Sequence, residues 1–158
     1  EQEATVIRLA TAARANRLEF LLEIIASKAG PVDDVTTARV VERFYSLGVF
    51  PDWWKLEPMT SDKAWTKVCA AIDSHDPHCR GVVLLGLESS PERLAESFAA
   101  AARHHRVKGF AVGRTIFAEA MEAWLAGRWD DKQAVAAMET RYRDLCDVWD
   151  RARKDAER

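Results

Sequence analysis

GVVLLGL, residues 81–87, is a continuous apolar run of the length of a β-strand. Runs of this kind, without polar alternation, are typical of strands that are buried on both faces, as in parallel sheets. Three further short apolar runs predict strands at 19–25, 53–56 and 107–112. Successive strands end about 30 residues apart, which is the length that a strand, a crossover helix and two loops require. The sequence therefore predicts alternating strands and helices around a parallel sheet.

Helices are predicted before, between and after these strands. Their signals are amphipathic spacing of apolar residues, capping side chains, and glycine or proline near the ends. The predicted spans are 3–16, 35–47, 61–74, 91–104, about 114–127 and about 131–153. The expected N-terminal caps are Asp33 or Asp34 for the second helix, Ser90 before Pro91 for the fourth, and Asp130 or Asp131 for the last.

A repeat of about 30 residues is compatible with an open doubly wound sheet or with a (β/α) barrel. A complete barrel of eight units usually needs about 250 residues, whereas this chain has 158. That length accommodates four βα units with one leading helix and one C-terminal helix. We therefore predict an α/β fold of the (β/α) TIM-barrel type, in the form of a half-barrel. Residues 1–158 are expected to be a single domain fragment.

The overall composition argues against several classes of partner. There are 23 basic and 25 acidic side chains, so that the net charge is −2, and hydrophobic residues make up 48% of the chain. This balance does not favour binding to nucleic acid or to an anionic membrane. Cys69, Cys79 and Cys146 form no CxxC pair and are expected to be reduced thiols. We expect a cytoplasmic protein without a metal or an organic cofactor.

Lys55 is the strongest candidate for chemistry. It lies between Trp54 and Leu56, toward the carboxyl end of a predicted strand, where barrel enzymes keep their active sites. Apolar surroundings disfavour the charged form of a lysine, and a neutral amine can attack a ketone to form a Schiff base. The alternative is a structural ion pair with Glu57, two residues further along the same strand face.

Glu23 ends the preceding predicted strand and should neighbour Lys55 if the sheet is parallel and sequential. A carboxylate at this position could transfer protons during formation and breakdown of the Schiff base. The alternative is again a structural ion pair between the two side chains.

A phosphate site is predicted at the ends of the last two strands. Gly113 permits close approach of the backbone, Arg114 offers a planar guanidinium, and the helix that follows presents its N-terminus. Gly86, with Ser89 and Ser90 nearby, would supply the other side of the pocket. Barrels typically bind phosphate in the loops after their last two strands.

Three other groups of residues are interpreted as structural. Lys108 lies at the amino end of its strand, away from a site at the carboxyl ends. The segment 73–79 holds aspartate, histidine and cysteine, but its spacing matches no standard zinc pattern and its Asp76-Pro77 step is typical of a turn. His104 and His105 close a helix, where a positive charge suits the helix dipole.

Three stretches resemble a known family. WWKLEP at 53–58, RGVVLLGL at 80–87 and KGFAVGRTIF at 108–117 resemble the aldolase-type domain of myo-inositol catabolism, which is often joined to 5-dehydro-2-deoxygluconokinase. The resemblance covers essentially the whole chain and corresponds to the carboxyl-terminal half of that domain. A wider similarity connects it to class I tagatose-1,6-bisphosphate aldolases, which are (β/α) barrels. The resemblance implies that the strands here are equivalent to strands five to eight.

The resemblance also implies roles for particular residues. Lys55 and Glu57 match the Lys-Val-Glu stretch that carries the Schiff-base lysine, and Glu23 matches a glutamate that transfers protons. Gly113 and Arg114 match a pair that holds substrate phosphate, whereas Gly86 stands where the tagatose-bisphosphate enzymes have a serine-containing loop. The implied catalytic residues are therefore Lys55, Glu23 and Glu57, and the implied reaction cleaves 6-phospho-5-dehydro-2-deoxy-gluconate to dihydroxyacetone phosphate and malonate semialdehyde.

Two expectations concern partners. A half-barrel exposes two strand edges and an apolar inner face, so we expect either a homo-oligomer or a missing N-terminal half-barrel.

The alternative to an enzyme is a non-catalytic module that binds a phosphosugar or assembles with a sugar kinase. Such a module would keep Arg114 for the phosphate while Lys55 stayed protonated beside Glu23 or Glu57. A nucleotide-binding open sheet is disfavoured because the chain has no GxGxxG or P-loop motif.

Overall fold

The computed structural model describes residues 1–86 and 91–158, and the description below concerns those residues. The strands form one parallel sheet in the order β1-β2-β3-β4, so that chain neighbours are also neighbours in space. They are β1 (Leu21–Ile24), β2 (Trp53–Leu56), β3 (Gly81–Leu84) and β4 (Val107–Phe110). This arrangement confirms the predicted alternation of strands and helices. The predicted extension of the third strand to Leu87, and the predicted cap at Ser90, lie outside the described residues.

The helices agree with the predicted spans to within a few residues at each end. One short element was not predicted, a single 3-10 turn at Ala26–Lys28 directly after β1. The helices are α1 (Gln2–Ala15), α2 (Thr36–Ser46), α3 (Asp62–His75), α4 (Pro91–Ala101), α5 (Arg114–Leu125) and α6 (Asp131–Ala156).

Side-chain caps fix the start of α3, at Ser61, and of α6, at Asp130. Asp130 accepts a hydrogen bond from the backbone N–H of Gln133, whose side chain accepts one from the Asp130 N–H, which completes a capping box. The prediction that Asp33 or Asp34 caps α2 is wrong, because the N-cap is Val35 and makes no side-chain cap. Asp33 instead accepts from the N–H of Val35 and the hydroxyl of Thr36, so its oxygen is already used in the turn that precedes the helix.

One face of the sheet is covered by helices and forms the core. The side chains of Trp54, Leu56, Val82 and Leu84 are fully buried on this face. The indole N–H of Trp54 donates to the hydroxyl of Tyr45 on α2 at 2.9 Å, so its polar atom is also satisfied. Burial of each large apolar side chain contributes about 1.5–3 kcal/mol, which makes this layer the main source of stability.

The other face, here called the inner face, is not covered by the helices of the described chain. It carries alternate strand residues, among them Leu21, Glu23, Lys55 and Val83, all partly or largely exposed. The prediction of strands buried on both faces is therefore correct for one face only. In a closed barrel the same face points to the barrel interior.

Two surface features accompany this half-open shape. The outer edges of β1 and β4 pair with no strand among the described residues. Helix α5 exposes Phe117, Met121 and Trp124. Among the described helices, none is long and apolar enough to cross a membrane.

Candidate active site on the inner face

Lys55 and Glu23 meet on the inner face. The register of the sheet places Glu23 directly opposite Lys55, so their side chains leave neighbouring strands on the same side. Lys55 Nζ lies 2.7 Å from Glu23 Oε2. The Lys55 side chain is 25% exposed and that of Glu23 41%, so a small molecule on the inner face can reach both. An amine and a carboxylate in contact can serve as a nucleophile and a proton carrier.

Glu57 lies away from this pair. Its carboxylate is buried and accepts hydrogen bonds from the backbone N–H of Ser27, at 3.0 Å, and from the Ser27 hydroxyl. The predicted alternative, in which Glu57 holds Lys55 in an ion pair, is therefore wrong, since Lys55 pairs with Glu23 instead. The chain turns after β2, and the turn carries Glu57 toward a cavity of about 490 Å³ that it shares with Ser97 on α4. This contact ties the loop after β1 to the end of β2.

The two halves of the predicted phosphate site lie against each other. Gly86, just beyond β3, is so close to the β4–α5 segment that a Cβ there would lie 2.6 Å from Thr115 Oγ1 and 3.0 Å from Val112 Cγ1. Glycine is therefore the residue that allows this approach. Through this contact the backbone just after β3 lies next to the first turn of α5.

The first turn of α5 begins at Gly113 and Arg114. Gly113 is the N-cap, and its carbonyl accepts from the N–H groups of Ile116 and Phe117, which starts the helix. The first N–H groups of a helix have no acceptor within the helix and favour an anion. Gly113 and Arg114 are both exposed, so that the turn is open to a ligand.

The segment 73–79 is built as a turn. One Asp76 oxygen accepts from the backbone N–H groups of His78 and Cys79, which satisfies the carboxylate locally. Within the described part of the chain, no three histidine, cysteine, aspartate or glutamate side chains cluster as a metal site would require.

The remaining residues interpreted as structural lie at helix ends and at the amino ends of the strands. Lys108 Nζ donates to the carbonyl of His105 at 2.7 Å. His104 Nε2 lies 3.1 Å from Asp62 Oδ1, at the start of α3. None of these contacts reaches the Lys55–Glu23 pair.

Two residues of this region were missed by the sequence analysis. Ser27 holds Glu57, and nothing in its local sequence indicates a partner 30 residues away. Thr115 lies against Gly86, and its place directly after a glycine and an arginine at a helix start was a usable signal.

Comparisons with known proteins give one family and one fold. A family model described as "Uncharacterized protein conserved in bacteria (DUF2090)" matches residues 1–153. No curated protein matches the chain. Among solved structures, fructose-bisphosphate aldolase from Plasmodium falciparum, crystallised in a ternary complex with TRAP and a small-molecule inhibitor, matches with a TM-score of 0.60 and 18% identity. The match covers 89% of this chain and 47% of the aldolase, so the chain spans about half the length of that enzyme. At this identity the likeness concerns the fold, and it confirms the predicted TIM-barrel type.

Proposed function

The chain belongs to the bacterial family DUF2090, and within it we propose that this protein is the lysine-bearing half of a class I, Schiff-base aldolase. The observation that carries the proposal is the Lys55–Glu23 pair, with 2.7 Å between amine and carboxylate on the inner face of a half-barrel. The barrel-type fold shared with an aldolase is consistent with this reading. The proposed substrate is 6-phospho-5-dehydro-2-deoxy-gluconate, the phosphorylated sugar acid that the sequence resemblance implies.

In the proposed reaction, Lys55 passes its ammonium proton to Glu23, and the neutral amine attacks the ketone carbon of the substrate. Glu23 returns the proton to the carbinolamine hydroxyl, which leaves as water to give an iminium. Glu23 then accepts the proton of the hydroxyl on the carbon that becomes the aldehyde. The adjacent carbon–carbon bond breaks, its electron pair moves into the iminium to give an enamine, and malonate semialdehyde leaves. Protonation of the enamine carbon and hydrolysis of the iminium release dihydroxyacetone phosphate and restore Lys55.

We propose that the substrate phosphate binds where β3 and β4 end, on the far side of the sheet from β1. The guanidinium of Arg114, the backbone at Gly113 and the N–H of Gly86 would contact the phosphate oxygens. This part of the proposal is supported by the close contact between Gly86 and the first turn of α5. Glu57 has no proton-transfer step in the proposal, because its carboxylate is engaged by Ser27.

The barrel must be completed for this site to be enclosed. We propose that four further βα units pair with the free edges of β1 and β4, supplied either by a second copy of the chain or by an N-terminal half-barrel. A groove of about 950 Å³ beside β1, lined by Val6, Ile24 and Phe44, is open to such a unit. Light scattering of the chain should give at least twice its monomer mass if a second copy supplies the units. A stable monomer that still forms the Schiff base would contradict the need for either source.

The test of the reaction is reductive trapping. The protein is incubated with dihydroxyacetone phosphate and sodium borohydride, which reduces an iminium to a stable secondary amine, and the modified peptide is then mapped. We expect one adduct, on Lys55, and the same yield in the presence of EDTA. An adduct on another lysine, or a yield abolished by EDTA, would overturn the proposal.

A second candidate is a non-catalytic module that binds a phosphosugar. The same Lys55–Glu23 ion pair favours it, since a carboxylate in contact stabilises the ammonium form of lysine. This candidate predicts saturable binding of dihydroxyacetone phosphate without any borohydride-trapped adduct. The trapping experiment therefore separates the two functions directly.

A further inference from the structure

Glu23 and Lys55 lie close to the ends of two short strands. Each is the last residue but one of a four-residue strand, and the register between β1 and β2 ends with the next pair, Ile24 and Leu56. Beyond that pair the two chains leave the sheet. The contacts that follow each strand therefore decide how firmly Glu23 and Lys55 are held against each other.

The side chain of Glu57 joins the two chains directly beyond the last aligned pair. Its Oε2 accepts a hydrogen bond from the backbone N–H of Ser27 at 3.0 Å, and its Oε1 accepts one from the Ser27 hydroxyl. Ser27 belongs to the 3-10 turn after β1, and Glu57 is the first residue after β2. These two hydrogen bonds, here called the Ser27–Glu57 link, continue the connection between the strands. On its other side β2 is held to β3 by the N–H of Leu85, which donates to the carbonyl of Leu56 at 2.9 Å.

Glu57 leaves the inner face to make this link. In a regular extension of β2 it would share a face with Lys55, because strand residues two apart point to the same side. The turn after β2 carries it away instead, and its side chain is buried. Burial of a carboxylate costs free energy, and apolar side chains in place of buried, hydrogen-bonded charges often give equal or greater stability. Stability alone therefore gives no reason for a glutamate at this position, whereas the geometry of the two strand ends does.

We propose that Glu57 is a positioning residue, which holds Glu23 at proton-transfer distance from Lys55 through the Ser27–Glu57 link. The inference rests on the proposed aldolase function. Lys55 Nζ lies 2.7 Å from Glu23 Oε2, and a proton passes directly between two heavy atoms that are about 2.6–3.2 Å apart. Without the link the end of β1 can move away from β2, and a displacement of about 1 Å can lower a rate by up to about a hundredfold. Glu57 itself takes up no proton in the reaction.

The test measures the rate of borohydride trapping on Lys55 against the concentration of dihydroxyacetone phosphate, with enough borohydride that iminium formation limits the rate. Glu57→Ala removes both hydrogen bonds and should lower the maximal rate about tenfold, while the concentration that gives half of it stays within about twofold. Glu57→Gln keeps the link, because its amide oxygen accepts from the Ser27 N–H and its NH₂ donates to the Ser27 hydroxyl. It should stay within about threefold of wild type, which a group that transferred protons itself would not allow.

Two controls separate positioning from a general loss of stability. Asp76 is also buried and accepts two hydrogen bonds, from the N–H groups of His78 and Cys79 at 3.0 and 3.1 Å, but it lies between α3 and β3, at the amino ends of the strands. Asp76→Ala should lower the melting temperature and leave the trapping rate within about twofold. The second control is a double-mutant cycle with Glu23→Gln. Because Glu57 acts through Glu23, Glu57→Ala should lower the rate of the Glu23→Gln chain by no more than about twofold.

The outcomes separate this inference from the function on which it rests. The positioning role is overturned by equal losses in Glu57→Ala and Glu57→Gln, by an unchanged maximal rate in folded Glu57→Ala, or by a tenfold loss that persists in the Glu23→Gln chain. If Glu57→Ala does not fold, Ser27→Ala decides, since it removes one hydrogen bond from an exposed turn. It should lower the maximal rate about threefold, and a wild-type rate would overturn the role. All these results leave the aldolase function standing, whereas a wild-type chain that forms no adduct on Lys55 overturns both.

Discussion

Two ion pairs of nearly equal length lie in different parts of the molecule. Lys55 and Glu23 are 2.7 Å apart on the open inner face. Arg106 and Asp73 are 2.6 Å apart where the loop before β4 meets the end of α3. Arg106 is only 16% exposed, and it also donates to the carbonyl of Cys79 at 2.9 Å. The first pair is open to a ligand, and the second is tied into the structure.

The chemistry of the two cations matches this difference. A guanidinium stays charged at any pH that a protein tolerates, so Arg106 can fix a carboxylate and a carbonyl permanently. A lysine can lose its proton and become a nucleophile, which requires access for a substrate. In barrel enzymes the carboxyl ends of the strands carry the chemistry and the amino ends carry stability. The comparison teaches that the distance within an ion pair does not distinguish these two pairs, whereas the identity of the cation and its further contacts do.

The largest expected effect is that replacing Lys55 abolishes trapping but not stability, whereas replacing Arg106 lowers stability but not trapping. Lys55→Met removes the nucleophile and should lower the rate of trapping with dihydroxyacetone phosphate by about a thousandfold or more, equivalent to about 4 kcal/mol. Its effect on the free energy of unfolding should stay within about 0.5 kcal/mol, since both partners are partly exposed. Arg106→Met should lower the free energy of unfolding by about 2 kcal/mol, because two charge-assisted contacts are lost, and should leave Lys55 trapping intact.

Urea unfolding and borohydride trapping of both variants provide the measurement. Loss of trapping in Arg106→Met, at a temperature where this variant is folded, would contradict the structural role of Arg106. Full trapping in Lys55→Met would contradict the role of Lys55 as the nucleophile. A third variant, Lys108→Met, removes the lysine of β4 and serves as a control for trapping by another amine of the sheet.

The sequence was sufficient for the order of elements and for the expectation that Glu23 neighbours Lys55, although it left Glu57 open as the ion-pair partner. Both depend on local signals, namely the apolar runs and their repeat, since parallel neighbours in sequence order bring strand ends together. The position of Glu57 could not be predicted, because its partner Ser27 lies in a 3-10 turn that no local pattern indicates. The register shift in β4, where Val82 pairs with Val107 and Val83 with Gly109, could not be predicted either. It accompanies the stacking of the partly buried Phe110 on Phe98, which no local pattern indicates.

The next largest effect concerns the approach of β3 to α5. Gly86→Ala would place a methyl group 2.6 Å from Thr115 Oγ1 and should push the start of α5 outward. Overpacking of this kind costs about 1–3 kcal/mol. The same shift should raise the dihydroxyacetone phosphate concentration that gives half-maximal trapping, with the maximal yield on Lys55 retained. Gly109→Ala is the matched control for stability, because a Cβ there meets no atom of the described residues within 4 Å. Equal stability of the two variants would show that the contact at Gly86 carries no strain.

The smallest effect is the pH dependence of the structural pair. Burial raises the pKa of Asp73, but hydrogen bonds from Arg106 and His105 outweigh it, so the pKa of Asp73 is lowered on balance. A carboxylate whose pKa is lower in the folded than in the unfolded chain stabilises the fold above the unfolded value, about 3.9, and loses this contribution as the pH falls through the folded value.

Asp73→Asn should therefore lower the free energy of unfolding at pH 7 by about 1 kcal/mol, a modest amount because the carboxylate is partly exposed. The difference from wild type should shrink as the pH is lowered below about 4, where the wild-type carboxylate takes up its proton. Glu23→Gln is the matched substitution at the other pair, and it should slow trapping on Lys55 at pH 7 while changing the unfolding free energy less than Asp73→Asn does. If acid unfolding curves of wild type and Asp73→Asn stay parallel down to pH 2, the second ion pair does not supply the stability assigned to it, and the contrast between the two pairs rests on access alone.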